Sequence, residues 1–179
     1  VAMAQAMLCL EQIGMEALAA HEARLTARLL SHLQRLPGVS VYGITDPARA
    51  HEKVGVIPFN VGGLDPYLVA AILSAEGGIG VRNGCFCAHP YLLHLLGIDE
   101  QHAVGYRTEI HGGVKAHLPG LVRASFGCYN TEDEVDWFAE VLGRIVRGEY
   151  RGRYVQNPAS GSYWPEGGNP PPERYFRLG

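Results

Sequence analysis

Apolar and small residues crowd the first stretch, "VAMAQAMLCLEQI", and predict a helix that Gly14 interrupts. A longer helix is predicted over 16–36, where Leu25, Leu29, Leu33 and Leu36 recur at helical spacing and make one apolar face. Pro37-Gly38 stops it. "VSVYG" (39–43) reads as a strand and "DPARAHEK" as a polar loop. The β-rich "VGVIPFNV" (54–61) is a second strand, and Pro58 inside it points to an edge or a bulge, because proline cannot donate to a ladder. Asp65 is a good N-cap and Pro66 fits the first helical position. Leu68, Val69, Ile72 and Leu73 then carry a helical stripe up to Glu76. A short strand over 79–82 leads into a loop with two cysteines, and 90–96 returns to helix. Residues 99–119, with His102, His111 and His117 scattered through them, read as irregular. "LVRASFG" (121–127) is another strand. Thr131 and Glu134 form a capping box, which opens a helix with Val135, Phe138, Leu142, Ile145 and Val146 on its inner face.

This order predicts a small two-layer α/β (α+β) domain over 1–147, with helices packed on one face of a small sheet. From Gly148 the composition turns to Gly, Pro, Tyr and Trp, so 148–179 reads as an extension. Its aromatic residues (Tyr150, Tyr154, Tyr163, Trp164, Tyr175, Phe176) suit a partly ordered arm wrapped over the domain better than a bare linker. Contact with another domain or a second subunit is the alternative.

With 179 residues, 47% hydrophobic and 18% charged, the chain is long enough to bury a real core. A net charge of -3 argues against nucleic acid as a partner. No apolar run reaches the roughly 20 residues of a membrane span, and no signal peptide is visible. Four cysteines without a regular framework suit reduced thiols in the cytoplasm. The chain runs from Val1 straight into helix-forming sequence, which leads us to expect a fragment whose first domain is missing; a trimmed terminus is the alternative.

The chemistry concentrates in "GGIGVRNGCFCAHPYLLHLLGI" (77–98). Cys85, Cys87 and His89 alternate, but structural zinc uses four ligands and paired knuckles, and no second knuckle exists here. The spacing is C-x-C rather than the redox C-x-x-C, and a disulfide across it needs strained geometry. Packing as buried thiols suits Cys9 and Cys128. It suits Cys87 less, because Cys87 sits in a Gly- and Asn-bearing loop, where chemistry tends to be placed. Arg82 and nearby backbone amides favour a thiolate. The residues alone leave nucleophile and packing both open.

"GIGVRNGCFCAHP" followed by "VRASFGCYNTEDEVDWFAEVL" resembles the C-terminal small domain of class V aminotransferase-fold enzymes, which are fold-type I transferases dependent on pyridoxal 5'-phosphate. The pattern is similar to that of cysteine desulfurases, and "GCFC" also resembles molybdenum-cofactor sulfurases, which use a cysteine persulfide. The resemblance places Cys87 where desulfurases keep the persulfide-forming cysteine, and Arg123 where the family binds the substrate carboxylate. A guanidinium fork fits that task. Without the resemblance, a surface ion pair would be the reading for Arg123. Arg82 aligns with another active-site arginine. Two departures stand out: Cys85-Phe86 replaces the desulfurases' His-His, and 99–119 lengthens the link to Arg123 as a surface insertion or a lid.

The resemblance also implies what this chain lacks. The cofactor is held as a Schiff base on a lysine. The two lysines here, Lys53 and Lys115, lack the family's context, so no cofactor-binding residue is assigned and the chain alone is expected to be inactive. Full length, the resemblance implies an enzyme acting on an amino acid, a missing N-terminal large domain, a homodimer and a sulfur-acceptor partner. An aminotransferase or epimerase with Cys87 as a bystander is the alternative. A non-catalytic interaction module is the reading from another class.

Overall fold

The computed structural model describes residues 1–168, in two compact units. Residues 1–62 and 123–148 form the first, and residues 63–122 with the chain from 149 form the second. Tyr175 and Phe176 lie outside the described residues.

In the first unit, α1 (Ala2–Ile13) and α2 (Met15–Leu33) are separated by Gly14 at a φ of 95°, a conformation that side-chain-bearing residues avoid. Helix α2 buries Leu25, Leu29, Leu30 and Leu33, three of them in the predicted stripe, whose fourth member, Leu36, lies past the helix and is half-buried. It ends at Leu33 rather than 36, because the amides of Arg35 and Leu36 reach back only three residues and tighten the last turn. Strand β1 (Val39–Val41) pairs antiparallel with β2 (Val56–Val61), Val39 opposite Val61 and Val41 opposite Phe59. The loop expected between them contains a 3-10 helix, Pro47–Glu52. Asp46 caps it by accepting from the Ala48 amide, a short-range signal that polar composition conceals.

The expectation for Pro58 is corrected. Strand β2 lies between β1 and β4 (Leu121–Ser125), not at an edge. Pro58 is tolerated because its carbonyl meets the amide of Tyr42, one residue past the end of β1. The missing N–H on that side falls where the ladder has stopped. Ile57, Phe59 and Val61 face the core, with the Phe59 ring set edge-on to Phe138 of α6 (Glu132–Val146) at 5.9 Å between centroids. Helix α6 begins at the predicted capping box and buries Val135, Phe138, Leu142 and Ile145; Val146 is only half-buried. Across the outer surface, Arg28 of α2 holds both oxygens of Asp136 at 2.7 and 2.6 Å, and His32 adds 2.8 Å to the same carboxylate.

In the second unit, α3 (Pro66–Gly77) starts at the predicted Asp65 cap, which accepts from the Tyr67 amide, and buries Val69, Ile72 and Leu73. Gly78 closes it in the left-handed conformation, and the Ile79 amide turns back to the Leu73 carbonyl. The next strand therefore begins late: β3 is Arg82–Gly84, not 79–82, and it neighbours β4. Helix α4 (His89–Leu95) follows the cysteine loop.

Residues 99–119 are not irregular throughout: Asp99 accepts from the His102 amide at 2.9 Å and caps α5 (Glu100–His111). Helix α5 buries none of its residues, so it lacks the strong apolar stripe that marks a helix in sequence. The chain after 148 forms an antiparallel hairpin, β5 (Tyr154–Gln156) and β6 (Tyr163–Pro165), with Val155 opposite Trp164. The Glu76 carboxylate pins it, accepting from the amides of Arg151 and Gly152 and from the Tyr154 hydroxyl. No helix among the described residues is long and apolar enough to cross a membrane.

Candidate functional site

The cysteine loop is built on a close backbone contact. Gly84 ends β3 at a φ of 104°, and Gly120 precedes β4. A Cβ on Gly120 would lie 2.8 Å from the Gly84 Cα, so only glycine lets these two segments pass. A Cβ on Gly84 would meet the Tyr67 hydroxyl at 3.0 Å.

From Gly84 the chain enters a four-residue turn, Cys85 to Ala88, closed by the Ala88 amide on the Cys85 carbonyl at 2.8 Å. Both central residues are left-handed: Phe86 has a φ of 51° and Cys87 of 62°. Two positive φ values at these positions mark a type I′ turn, which normally recruits Gly, Asn or Asp. An L-residue in that region costs roughly 1–2 kcal/mol, and such strain is found where the surrounding structure over-determines it.

The two cysteines of this turn differ. Cys87 is exposed. Cys85 is half-buried, donates its thiol to the Pro119 carbonyl at 3.2 Å, and has its pKa pushed up by burial. Cys85 also lines a cleft of about 660 Å³ with Tyr67 of α3, Leu93 of α4, and Tyr106 and Arg107 of α5. Burial, then the neighbouring Cys85 and Asp65, push the Tyr67 phenol up, so it faces the cleft as a neutral hydroxyl. Tyr67 and the α5 wall are absent from the sequence reading. The only signal for α5 is the modest spacing of Ala103, Tyr106 and Ile110 behind the Asp99 cap.

Arg82 lies exposed in β3, in the same unit as Cys87. Arg123 belongs to the first unit, half-buried in β4. Cys9 and Cys128 are not the buried thiols expected; both are exposed. Helix α1 buries no residue, and Cys128 falls in a surface turn closed by the Asn130 amide on the Gly127 carbonyl.

The Lys53 ammonium donates to the Ile44 carbonyl at 3.3 Å, and burial lowers its pKa. Lys115 is exposed, its backbone amide bonded to the Pro158 carbonyl.

Against known proteins, residues 1–138 match the family described as Aminotransferase class-V. The chain is 35% identical over 147 residues to a cysteine desulfurase of Cronobacter sakazakii, covering 82% of this chain and 29% of that protein. It is 32% identical over 137 residues to a probable cysteine desulfurase of Methanothermobacter thermautotrophicus, covering 76% of this chain and 28% of that protein. Among solved structures, the apo cysteine desulfurase of Thermococcus onnurineus NA1 superposes with a TM-score of 0.59 at 35% identity, over 77% of this chain and 28% of that one. The chain thus spans less than a third of the length of these relatives.

Proposed function

Because this chain belongs to the class V aminotransferase family, whose members are pyridoxal-phosphate enzymes, we propose that it is part of a cysteine desulfurase in which Cys87 carries sulfur as a persulfide. Residues 1–147 are read as the small C-terminal domain of that enzyme and 148–179 as an extension. The cofactor and its lysine then lie in sequence beyond these 179 residues.

The observation that carries this reading is the display of Cys87, the exposed thiol at the tip of a turn whose two central residues are both left-handed. In the reaction, the Cys87 thiolate forms a bond to the sulfur of the substrate cysteine. The substrate's carbon–sulfur bond breaks with its electron pair on carbon, and a proton there completes alanine. The sulfur remains on Cys87 as a persulfide, ready for a thiol of an acceptor protein. Arg123 binds the substrate carboxylate in a bidentate fork, with Arg82 as a second cation of the site. The enzyme is read as a cytoplasmic homodimer.

The test is the Cys87→Ser variant of the full-length enzyme, assayed for sulfide release from cysteine beside Cys85→Ser. A nucleophile that cannot be replaced by a neighbour predicts loss of sulfide release in the first and retention of most of it in the second. Parental turnover in Cys87→Ser would sink the desulfurase reading and leave an aminotransferase or epimerase, with Cys87 a loop residue.

A further inference from the structure

We propose that Cys85 is the positioning residue for Cys87: its thiol, donated to the Pro119 carbonyl, holds the turn from which Cys87 is displayed. The purpose of this device rests on the proposed function, but its geometry stands apart from it.

The turn contains the reason it needs an anchor. Phe86 and Cys87 both occupy conformations that their side chains disfavour, so a free loop would relax away from them. The Ala88–Cys85 backbone bond closes the turn but does not tie it to the fold. Residue 85 is its first position, and two of the contacts that hold it there meet on one segment. One is the close approach of Gly84 to Gly120. The other is the Cys85 thiol on the carbonyl of Pro119, immediately before Gly120. Both contacts reach the same short segment, so a backbone approach and a side chain staple the base of the turn together.

Cys85 supplies the donor to this carbonyl. Burial pushes its pKa up, so at neutral pH it is a thiol rather than a thiolate. A thiolate would set a negative charge against the carbonyl oxygen. The same burial makes Cys85 a poor competitor for electrophiles, which react with thiolates. The motif thus divides its two sulfurs between a half-buried donor and an exposed nucleophile.

The 179-residue chain tests this without turnover. Site-resolved iodoacetamide labelling at pH 7.5 is expected to modify Cys87 at least about tenfold faster than Cys85. In Cys85→Ala, the Ala88 amide, which closes the turn, is expected to exchange at least about tenfold faster. Cys85→Ser keeps a donor and is expected to stay within about twofold of the parent.

The parent supplies a third arm that needs no substitution. Its Ala88 protection, corrected for intrinsic exchange, is expected to fall as alkali deprotonates Cys85. Tyr67 of α3, His89 and His94 of α4, and Asp99, Glu100 and Arg107 at α5 share the cleft. Of these, the Tyr67 phenol also ionises in alkali, and Cys85→Ser, which keeps Tyr67, separates the two. Equal labelling of the cysteines, unchanged Ala88 protection in Cys85→Ala, or a serine variant as loose as the alanine one would overturn the proposal. None of these outcomes depends on whether Cys87→Ser retains desulfurase activity.

Discussion

Glu76 offers the sharpest perturbation of the second unit, because one carboxylate holds the start of the C-terminal hairpin. It accepts from the Arg151 amide at 2.9 Å, the Gly152 amide at 2.8 Å and the Tyr154 hydroxyl at 3.2 Å. A hydrogen bond to a charged group contributes about 1.5–3 kcal/mol, and the site is only half-buried, so the three do not add in full. Glu76→Ala should therefore lower the free energy of opening the hairpin by roughly 2–3 kcal/mol, or about 30- to 150-fold in the exchange of the Gly152 amide. Tyr154→Phe removes only the longest of the three bonds and should cost about 0.5–1.5 kcal/mol. Alkali adds an independent check. Burial first, and then the Glu76 carboxylate, raise the Tyr154 pKa. A raised folded pKa means that the contribution is complete below the ordinary tyrosine value of about 10 and is lost as pH rises through the folded value. Exchange at Gly152, corrected for its intrinsic rate, should thus rise above about pH 10 in the parent and not in Tyr154→Phe. Unchanged Gly152 exchange in Glu76→Ala would refute the anchor.

Two further outcomes follow from the geometry. The Arg28 guanidinium first, and His32 second, hold the Asp136 carboxyl well below the usual carboxylate range. Its contribution is complete above the unfolded value of about 3.9 and is lost as pH falls toward the folded one, so Asp136→Asn should flatten the acid limb of the stability curve in urea melts between pH 2 and 5. In the full-length enzyme, Arg123→Ala should weaken amino-acid binding by roughly 1.5–3 kcal/mol, and an unchanged KM and kcat across amino acids would remove Arg123 from the site.

The elements that the sequence announced are those whose signals are local and strong. The leucine stripe of α2, the Asp65-Pro66 start of α3 and the Thr131–Glu134 box of α6 each combine a buried face or a cap within a few residues. Those that were misread depend on partners far along the chain or on weak faces. Pro58 looks like an edge residue until β1 is seen to stop at Val41. Helix α5 buries nothing, so only the Asp99 cap and the weak spacing of Ala103, Tyr106 and Ile110 mark it. The delay in β3 follows from Ile79 turning back on α3, an arrangement that an apolar "IGV" gives no hint of.

The site divides in the same way. "NGCFCAHP" announces a loop with two thiols, and the resemblance to class V aminotransferases makes Cys87, Arg82 and Arg123 candidates. What separates Cys85 from Cys87 lies 34 residues downstream, at the Pro119 carbonyl and the Gly120–Gly84 approach. No spacing rule within the motif contains that information. Residue type alone would make the two thiols equivalent, and the C-x-C alternation would point them the same way. The turn breaks the alternation: two left-handed residues rotate the chain between the sulfurs, leaving one against a carbonyl and the other in solvent. One strained turn is enough to give two chemically identical side chains these different surroundings.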